Sequence, residues 1–331
     1  MSKAYKYEVS VLVLSYNPKY DELIATLRSI LLQKDVKKQI IIADDGSKEN
    51  WFGRVEELFA EYGFKDYVLM GNEVNLGITK NFYSGIIKAE GEFFKGISPG
   101  DYLYSADTLK KWLDFMRKTG RDVSFGDAVY FRVEDDKIIP IEHNQNRPRL
   151  LPIYNEKKYR REAVKKSCWM IPDFILGATY FAKTELVVKY CEPLLDKVKY
   201  MEDALYRIML LDNIETVHYP EKVFMYEYGS GVSTTKNSKW VKIMDEEKKI
   251  IEKLITDSSR NDSFTKKLRK YFSRERETDR QRNISTALSC PSAFIWKLYR
   301  IYLIRSGRCF TDTKFDKDFM NLIRGTENAG N

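Results

Sequence analysis

The 331-residue sequence predicts an α/β protein: an open, Rossmann-like, mostly parallel sheet flanked by helices, followed by a helical C-terminal extension. Three observations predict it. Strand-like and helix-like segments alternate as β-α-β-α-β-α-β through residues 9–97, the order expected of parallel strands joined by helical crossovers. The strand-like runs are apolar without alternation, as strands buried on both faces are. Beyond residue 236 the composition shifts to charged sequence with helical apolar spacing and no further strand signal.

Residues 9–16 (VSVLVLSY) form the first buried strand, stopped by Pro18. Residues 21–32 have helical periodicity, with Asp21 and Glu22 in the first turn where a helix dipole favours carboxylates. Residues 39–43 (QIIIA) are the second strand, 49–62 a helix, 66–70 (DYVLM) the third strand, 79–90 a helix and 91–97 the fourth strand. Residues 105–119 are an amphipathic helix, 122–133 strand material interrupted by glycine, and 135–151 a polar loop. A short strand at 175–181, helices at 184–190 and 204–211, and a strand at 222–228 complete the first region. Residues 236–255 are a Lys/Glu-rich helix, 256–283 a strongly charged stretch and 292–305 (SAFIWKLYRIYLIR) an aromatic, basic helix. The shift places a domain boundary between 1–235 and 236–331.

Hydrophobic residues make up 43% of the chain and aromatics 14%, enough for a sizeable core, which excludes a disordered protein. The net charge of +8 suits an anionic substrate or membrane surface. It also suits nucleic acid, but no nucleic-acid motif accompanies it, so no such partner is expected. The four cysteines (Cys168, Cys191, Cys290, Cys309) are far apart and have only His143 and His218 beside them, against a zinc site or a disulfide framework. Free thiols fit a reducing cytosol. The first residues carry no apolar signal-peptide core, and no apolar run is long enough to cross a bilayer. A cytoplasmic protein is expected.

Candidate chemistry lies in turns after strands, at the carboxyl edge where open α/β sheets bind ligands. These are Tyr16-Asn17, Asp44-Asp45-Gly46-Ser47, Asn75-Leu76-Gly77 and Ser98-Pro99-Gly100-Asp101. Asp101, set by a Pro-Gly turn at a strand end, can hold a divalent cation. Each also has an ordinary reading as a turn or cap. The first turn, SYNPKY, lacks the glycines of a dinucleotide phosphate loop. Downstream, Glu202-Asp203 supplies carboxylates suited to general-base work, or to capping the helix that follows.

VSVLVLSYN, IIIADDGS, NLGITKN, GEFFKGISPGD and the later MED, in this order, resemble family 2 inverting glycosyltransferases of the GT-A fold over about residues 8–233. The resemblance implies a nucleoside-diphosphate sugar donor, UDP-linked, with Tyr16 and Asn17 lining base and ribose and Asp44 and Asp45 accepting from uracil and ribose. It places Asn75 and Gly77 where backbone approaches the nucleotide, Lys80 facing the diphosphate, and Asn81 on the family's usual asparagine. Ser98 and Gly100 fall on the Asp-x-Asp element, leaving Asp101 as the ligand of Mn²⁺ or Mg²⁺. Ser230, Gly231 and Ser233 fall in the loop that closes over the diphosphate. Asp203, with Glu202 second, would take the proton of the acceptor hydroxyl. Trp169, Pro172 and Asp173 precede a segment that faces the acceptor.

The implied setting is bacterial capsule, exopolysaccharide or O-antigen assembly with a glycan or lipid-linked acceptor. The stripe Ile295, Trp296, Leu298, Tyr299, Tyr302 and Leu303, with Lys297, Arg300 and Arg305, either lies on an anionic membrane or packs on the catalytic domain. The thinned acids at 98–101 leave a catalytically degenerate sugar-nucleotide or glycan-binding protein as the alternative. A sugar nucleotidyltransferase is disfavoured by the missing glycine-rich first loop.

Overall fold

A computed structural model describes residues 4–134, 137–141, 148–157, 160–171, 173–229, 238–308 and 313–325. The chain begins β1 (Tyr7–Ser15), α1 (Tyr20–Leu31), β2 (Lys38–Asp44), α2 (Phe52–Glu61), β3 (Tyr67–Gly71), α3 (Ile78–Ile86) and β4 (Gly91–Ile97). It continues with β5 (Tyr102–Leu103), α4 (Thr108–Thr119), β6 (Val123–Glu134), β7 (Lys137–Pro140), α5 (Pro152–Asn155), α6 (Arg160–Met170) and β8 (Tyr180–Lys183). Then come α7 (Thr184–Cys191), α8 (Ala204–Leu211) and β9 (Thr216–Glu227). The C-terminal region holds α9 (Ser238–Thr256), α10 (Ser263–Phe272), α11 (Asp279–Ser289), α12 (Pro291–Arg305) and α13 (Lys317–Arg324).

The strands form one nine-stranded sheet in the order β3-β2-β1-β4-β8-β6-β9-β5, with β7 on β6. It is parallel through β3-β2-β1-β4 and mixed beyond, because β8 joins both β4 and β6 antiparallel. The register levels the carboxyl ends: Ser15 lies beside Asp44, Asp44 beside Gly71, and Val13 beside Ile97. The polar turns after β1, β2, β3 and β4 therefore emerge along one edge.

Successive residues of a strand point to opposite faces, and both faces are covered. Val11, Val13, Ile40, Ile42 and Phe93 pack in one layer with Leu27, Phe59 and Trp112 of α1, α2 and α4. Leu12, Ile41, Ala43 and Phe94 pack in the other with Phe82 and Ile86 of α3. Ile251, Phe264, Leu268, Cys290 and Leu303 from α9 to α12 belong to that same second cluster, beside Val164, Trp169 and Met170 of α6. The shift near residue 236 thus coincides with the start of α9 but with no break in the core.

Two local expectations are corrected. The stretch 135–151 is not wholly loop: β7 pairs antiparallel with β6, and its Pro140 sits at the strand end, where a missing N–H is tolerated. The strand expected at 175–181 starts only at Tyr180, because Thr179 N–H and Oγ1 both bond the Leu176 carbonyl and close a 3₁₀ turn over Gly177–Thr179. The charged stretch 256–283 contains α10 and the start of α11, each begun by a side-chain cap: Asp262 accepts from Phe264 and Thr265 N–H, and Thr278 forms a capping box with Gln281.

Candidate active site

At the sheet edge, Asp44 folds back on its own turn: Oδ2 accepts from Ser47 N–H at 2.8 Å, and Oδ1 from the Ser47 hydroxyl. Asn17, in the left-handed region at φ 47°, donates its N–H to Ser47 Oγ (2.6 Å) and accepts from Lys48 N–H (3.1 Å). The turns after β1 and β2 are thus one unit. Tyr16 stands out from it, 55% exposed.

Asp45 is buried and braces the loop after β3. Its Oδ1 accepts from Leu76 N–H (2.8 Å) and the Asn72 side-chain amide (3.0 Å), and its Oδ2 from Gly77 N–H (2.8 Å). Asn81 ties α3 to β2 by donating to the Ala43 carbonyl at 2.8 Å. Gly77 has φ 92°, and a Cβ there would come within 2.1 Å of the Lys199 side chain, so this close approach requires glycine. Asn75 is exposed on the loop. Lys80 is half-exposed and pairs with Asp196 at 2.6 Å.

The turn after β4 is stitched to α1 by Thr26, whose Oγ1 accepts from Gly100 N–H (3.1 Å) and donates to the Asp101 carbonyl (2.9 Å). Ser98 is exposed; its carbonyl closes the turn by accepting Asp101 N–H. The Asp101 carboxylate is nearly buried and accepts Glu227 N–H at 3.2 Å. Burial pushes it well above the usual carboxylate range, against that hydrogen bond and the Lys95 charge, and the charges of Glu227 and Glu22 push the same way. Those two carboxylates lie where a side chain at position 100 would project: 3.2 Å (Glu227) and 3.6 Å (Glu22) from the place of its Cβ.

Among the described residues no three His, Cys, Asp or Glu side chains converge as a complete metal cage. The donors around Gly100 are all hard carboxylate oxygens, however. A divalent cation shared with a diphosphate needs only one or two of them. Asp101, with Glu227 or Glu22 beside it, fits such an ion.

On the far side of the turn, Lys95 is fully buried and donates to the Ala178 carbonyl at 2.5 Å. Burial pushes it down to about 7. The neighbouring Gly177 faces Asp203, whose Oδ2 is 3.3 Å from where its Cβ would be. Lys95, whose charge acts on Asp101, thus bonds the segment that lies beside Asp203. Glu202 and Asp203 lead directly into α8, each partly exposed among close-packed neighbours. Burial, reinforced by the Asp203 charge, raises Glu202 to about 8. Burial also raises Asp203, opposed by Arg207. The Arg207 guanidinium lies 4.2 Å from the Trp169 ring centroid and 5.2 Å from that of Phe174. Trp169 is a core residue, its indole N–H bonded to the Arg207 carbonyl.

The sequence profile described as Glycosyl transferase family 2 matches residues 10–182, the stretch that carries the edge turns and the Asp101 turn. The chain belongs to glycosyl transferase family 2. Solved structures agree on the fold. The Staphylococcus aureus TarS fragment 1–349 superposes with a TM-score of 0.54 at 14% identity, covering 97% of this chain and 90% of that one. The same fragment in complex with UDP-GlcNAc gives 0.54 at 16% identity over 96% and 81%. Its UDP complex gives 0.53 at 14% identity over 97% and 90%. No curated protein sequence matches.

In this glycosyltransferase the structure brings Asn17, Asp44, Asp45, Gly77, Asn81 and Asp101 to one edge. It spends most of the Asp45 and Asn81 bonding capacity on holding loops. Ser230, Gly231 and Ser233 lie outside the described residues. Glu22, Glu227 and Lys199 carry no mark in the sequence as members of the site, because each arrives from a distant segment. Lys95 had one local signal, a charge inside an otherwise apolar buried strand.

Proposed function

We propose that this family 2 glycosyltransferase moves a hexosyl or N-acetylhexosaminyl group, with inversion, from a UDP-sugar to a hydroxyl of a glycan or lipid-linked acceptor. The observation that carries the reading is the acid pair Glu202-Asp203 beside Gly177, in the segment that holds Lys95, whose charge acts on Asp101. TarS, which shares the fold, forms complexes with UDP and UDP-GlcNAc. In the proposed reaction the acceptor oxygen bonds to the anomeric carbon while its proton passes to Asp203. The bond from that carbon to the diphosphate oxygen breaks, and its electron pair leaves with the diphosphate. Mn²⁺ or Mg²⁺, held by Asp101 with Glu227 or Glu22 beside it, would supply positive charge to the departing diphosphate. Tyr16 and the paired turns at Asn17 and Asp44 would receive base and ribose, with Asn75, Lys80, Ser98 and Gly100 around the rest of the donor. Assembly of a bacterial surface polysaccharide, at the cytoplasmic face, is the setting this chemistry suits.

The glycine at position 100 favours a second reading, a binding protein without turnover. A UDP-release screen over a panel of UDP-sugars, with Mn²⁺ or Mg²⁺ and with EDTA, separates the two. Enzymatic release with a subset of donors, abolished by EDTA, is expected. Tight UDP binding with no release from any donor would favour the binding protein.

The outward face of α12 belongs to the same proposal. The helix is apolar nearly all round. Ala293 and Leu303 pack inward, while Ile295 (66% exposed), Leu298, Tyr299 and Tyr302 face out, with Arg305 and Arg308 beyond them. Among the described residues no helix is long and apolar enough to cross a membrane. Aromatic and aliphatic side chains flanked by arginines suit the surface of an anionic bilayer. Cosedimentation with phosphatidylglycerol vesicles is expected for the full chain and not with phosphatidylcholine vesicles. The Ile295→Asp, Leu298→Asp variant should stay in the supernatant. Equal recovery of variant and parent would remove the membrane role.

A further inference from the structure

Lys199 and Tyr200 shortly precede the acid pair, and their backbone N–H groups both donate to one side chain. That side chain is Glu247 of α9, with Oε1 at 2.7 Å from Lys199 N and Oε2 at 2.9 Å from Tyr200 N. Glu247 is buried, which a glutamate tolerates only when its oxygens are satisfied. The Tyr200 ring meets Trp240 of the same helix edge to face, at 4.9 Å and 90°. From the other direction, the Lys199 carbonyl accepts Thr79 N–H (3.0 Å) at the start of α3, and the Lys199 side chain covers Gly77. The segment is clamped between the loop after β3 and α9. α9 lies outside residues 10–182, and nothing in the edge turns points to it.

We propose that Glu247 is a positioning residue of the active site, fixing the Glu202-Asp203 pair against the donor loop by clamping the Lys199 and Tyr200 amides. The inference rests on the reading of that pair as the acid–base element. Its first consequence is geometric: a displacement of about an ångström at such a pair costs on the order of a hundredfold in rate. Its second is electrostatic. Glu202 is faced by Asp203, by Glu247, by the Tyr206 hydroxyl and by the Cys191 thiol. Asp203 is faced by Arg207, Tyr180 and Tyr206. Of these groups only Glu247 comes from the C-terminal region, and its negative charge opposes ionisation of Glu202.

The test compares full-length parent, Glu247→Gln, Glu247→Ala and Asp203→Asn by amide hydrogen exchange over residues 199–206. It also follows the pH dependence of UDP release from UDP-GlcNAc with Mn²⁺. In Glu247→Ala, exchange across 199–206 should rise by about tenfold or more while β1 to β4 stay protected. kcat should fall by about ten- to a hundredfold with KM nearly unchanged. Glu247→Gln keeps an accepting oxygen and loses the charge. It should retain more activity than Glu247→Ala but melt below the parent, because its NH2 faces one of the two backbone donors, and the acidic limb of its pH profile should move to lower pH, which loss of packing alone would not do. Unchanged exchange in Glu247→Ala would overturn the inference, as would an unmoved limb in an active Glu247→Gln. Full activity in Asp203→Asn would instead sink the acid-pair reading, and the exchange measurement would still decide whether Glu247 holds the segment.

Discussion

Replacing Asp203 by Asn should lower sugar transfer by about a hundred- to ten-thousandfold while UDP affinity stays within about twofold. The substitution keeps the shape beside Gly177 and removes the proton acceptor. Residual transfer measured at saturating donor, with UDP binding by calorimetry, checks it. Parent-like turnover would remove Asp203 as base. The pH dependence has a definite sign. A base works deprotonated, and both members of the pair are raised by burial, Glu202 to about 8. Transfer should therefore keep rising with pH beyond the range of an ordinary carboxylate. The same shift acts on stability. Folded chain holds the Glu202 proton up to about 8, whereas the unfolded chain releases it near 4.5. Folding is thus favoured fully below that lower value and loses this contribution as pH rises through the upper one.

Replacing Asp173 by Ala should destabilise the protein by about 3–5 kcal/mol, the usual result of removing one partner from a buried ion pair. Asp173 has a fully buried side chain. It accepts from Arg149 N–H (2.8 Å to Oδ1), Leu150 N–H (2.9 Å to Oδ2) and Arg300 Nε of α12 (2.7 Å to Oδ1). Truncation leaves the Arg300 charge and two backbone donors without their acceptor. Denaturant unfolding should show the midpoint falling. The double variant Asp173→Ala, Arg300→Leu should recover part of the loss, because it removes the stranded charge. A single variant as stable as the parent would mean that α12 is held by its apolar contacts alone.

The sheet edge was legible because its grammar is local. An apolar run followed by a polar turn marks a strand end wherever it stands, and parallel pairing then collects the ends. What Asp45 and Asn81 do there was not legible, since bracing a loop and touching a nucleotide ask for the same residue types. The partners of the C-terminal charges were hidden for a related reason. Glu247, Arg300 and the Arg276–Glu252 pair sit largely inside, where the sequence offers no mark of their partners. The exposed stripe of α12 was visible from spacing, whereas its inward anchor at Asp173 spans more than a hundred residues of chain.

The shared core of α6 with α9 to α12 bears on how such a chain can change. A tail that completes a cluster with Val164, Trp169 and Met170 cannot be exchanged between relatives by recombination near residue 236 without baring apolar surface on both halves. Changes are then expected to arise by single substitutions within the existing frame, with the tail and α6 changing together rather than as separable cassettes.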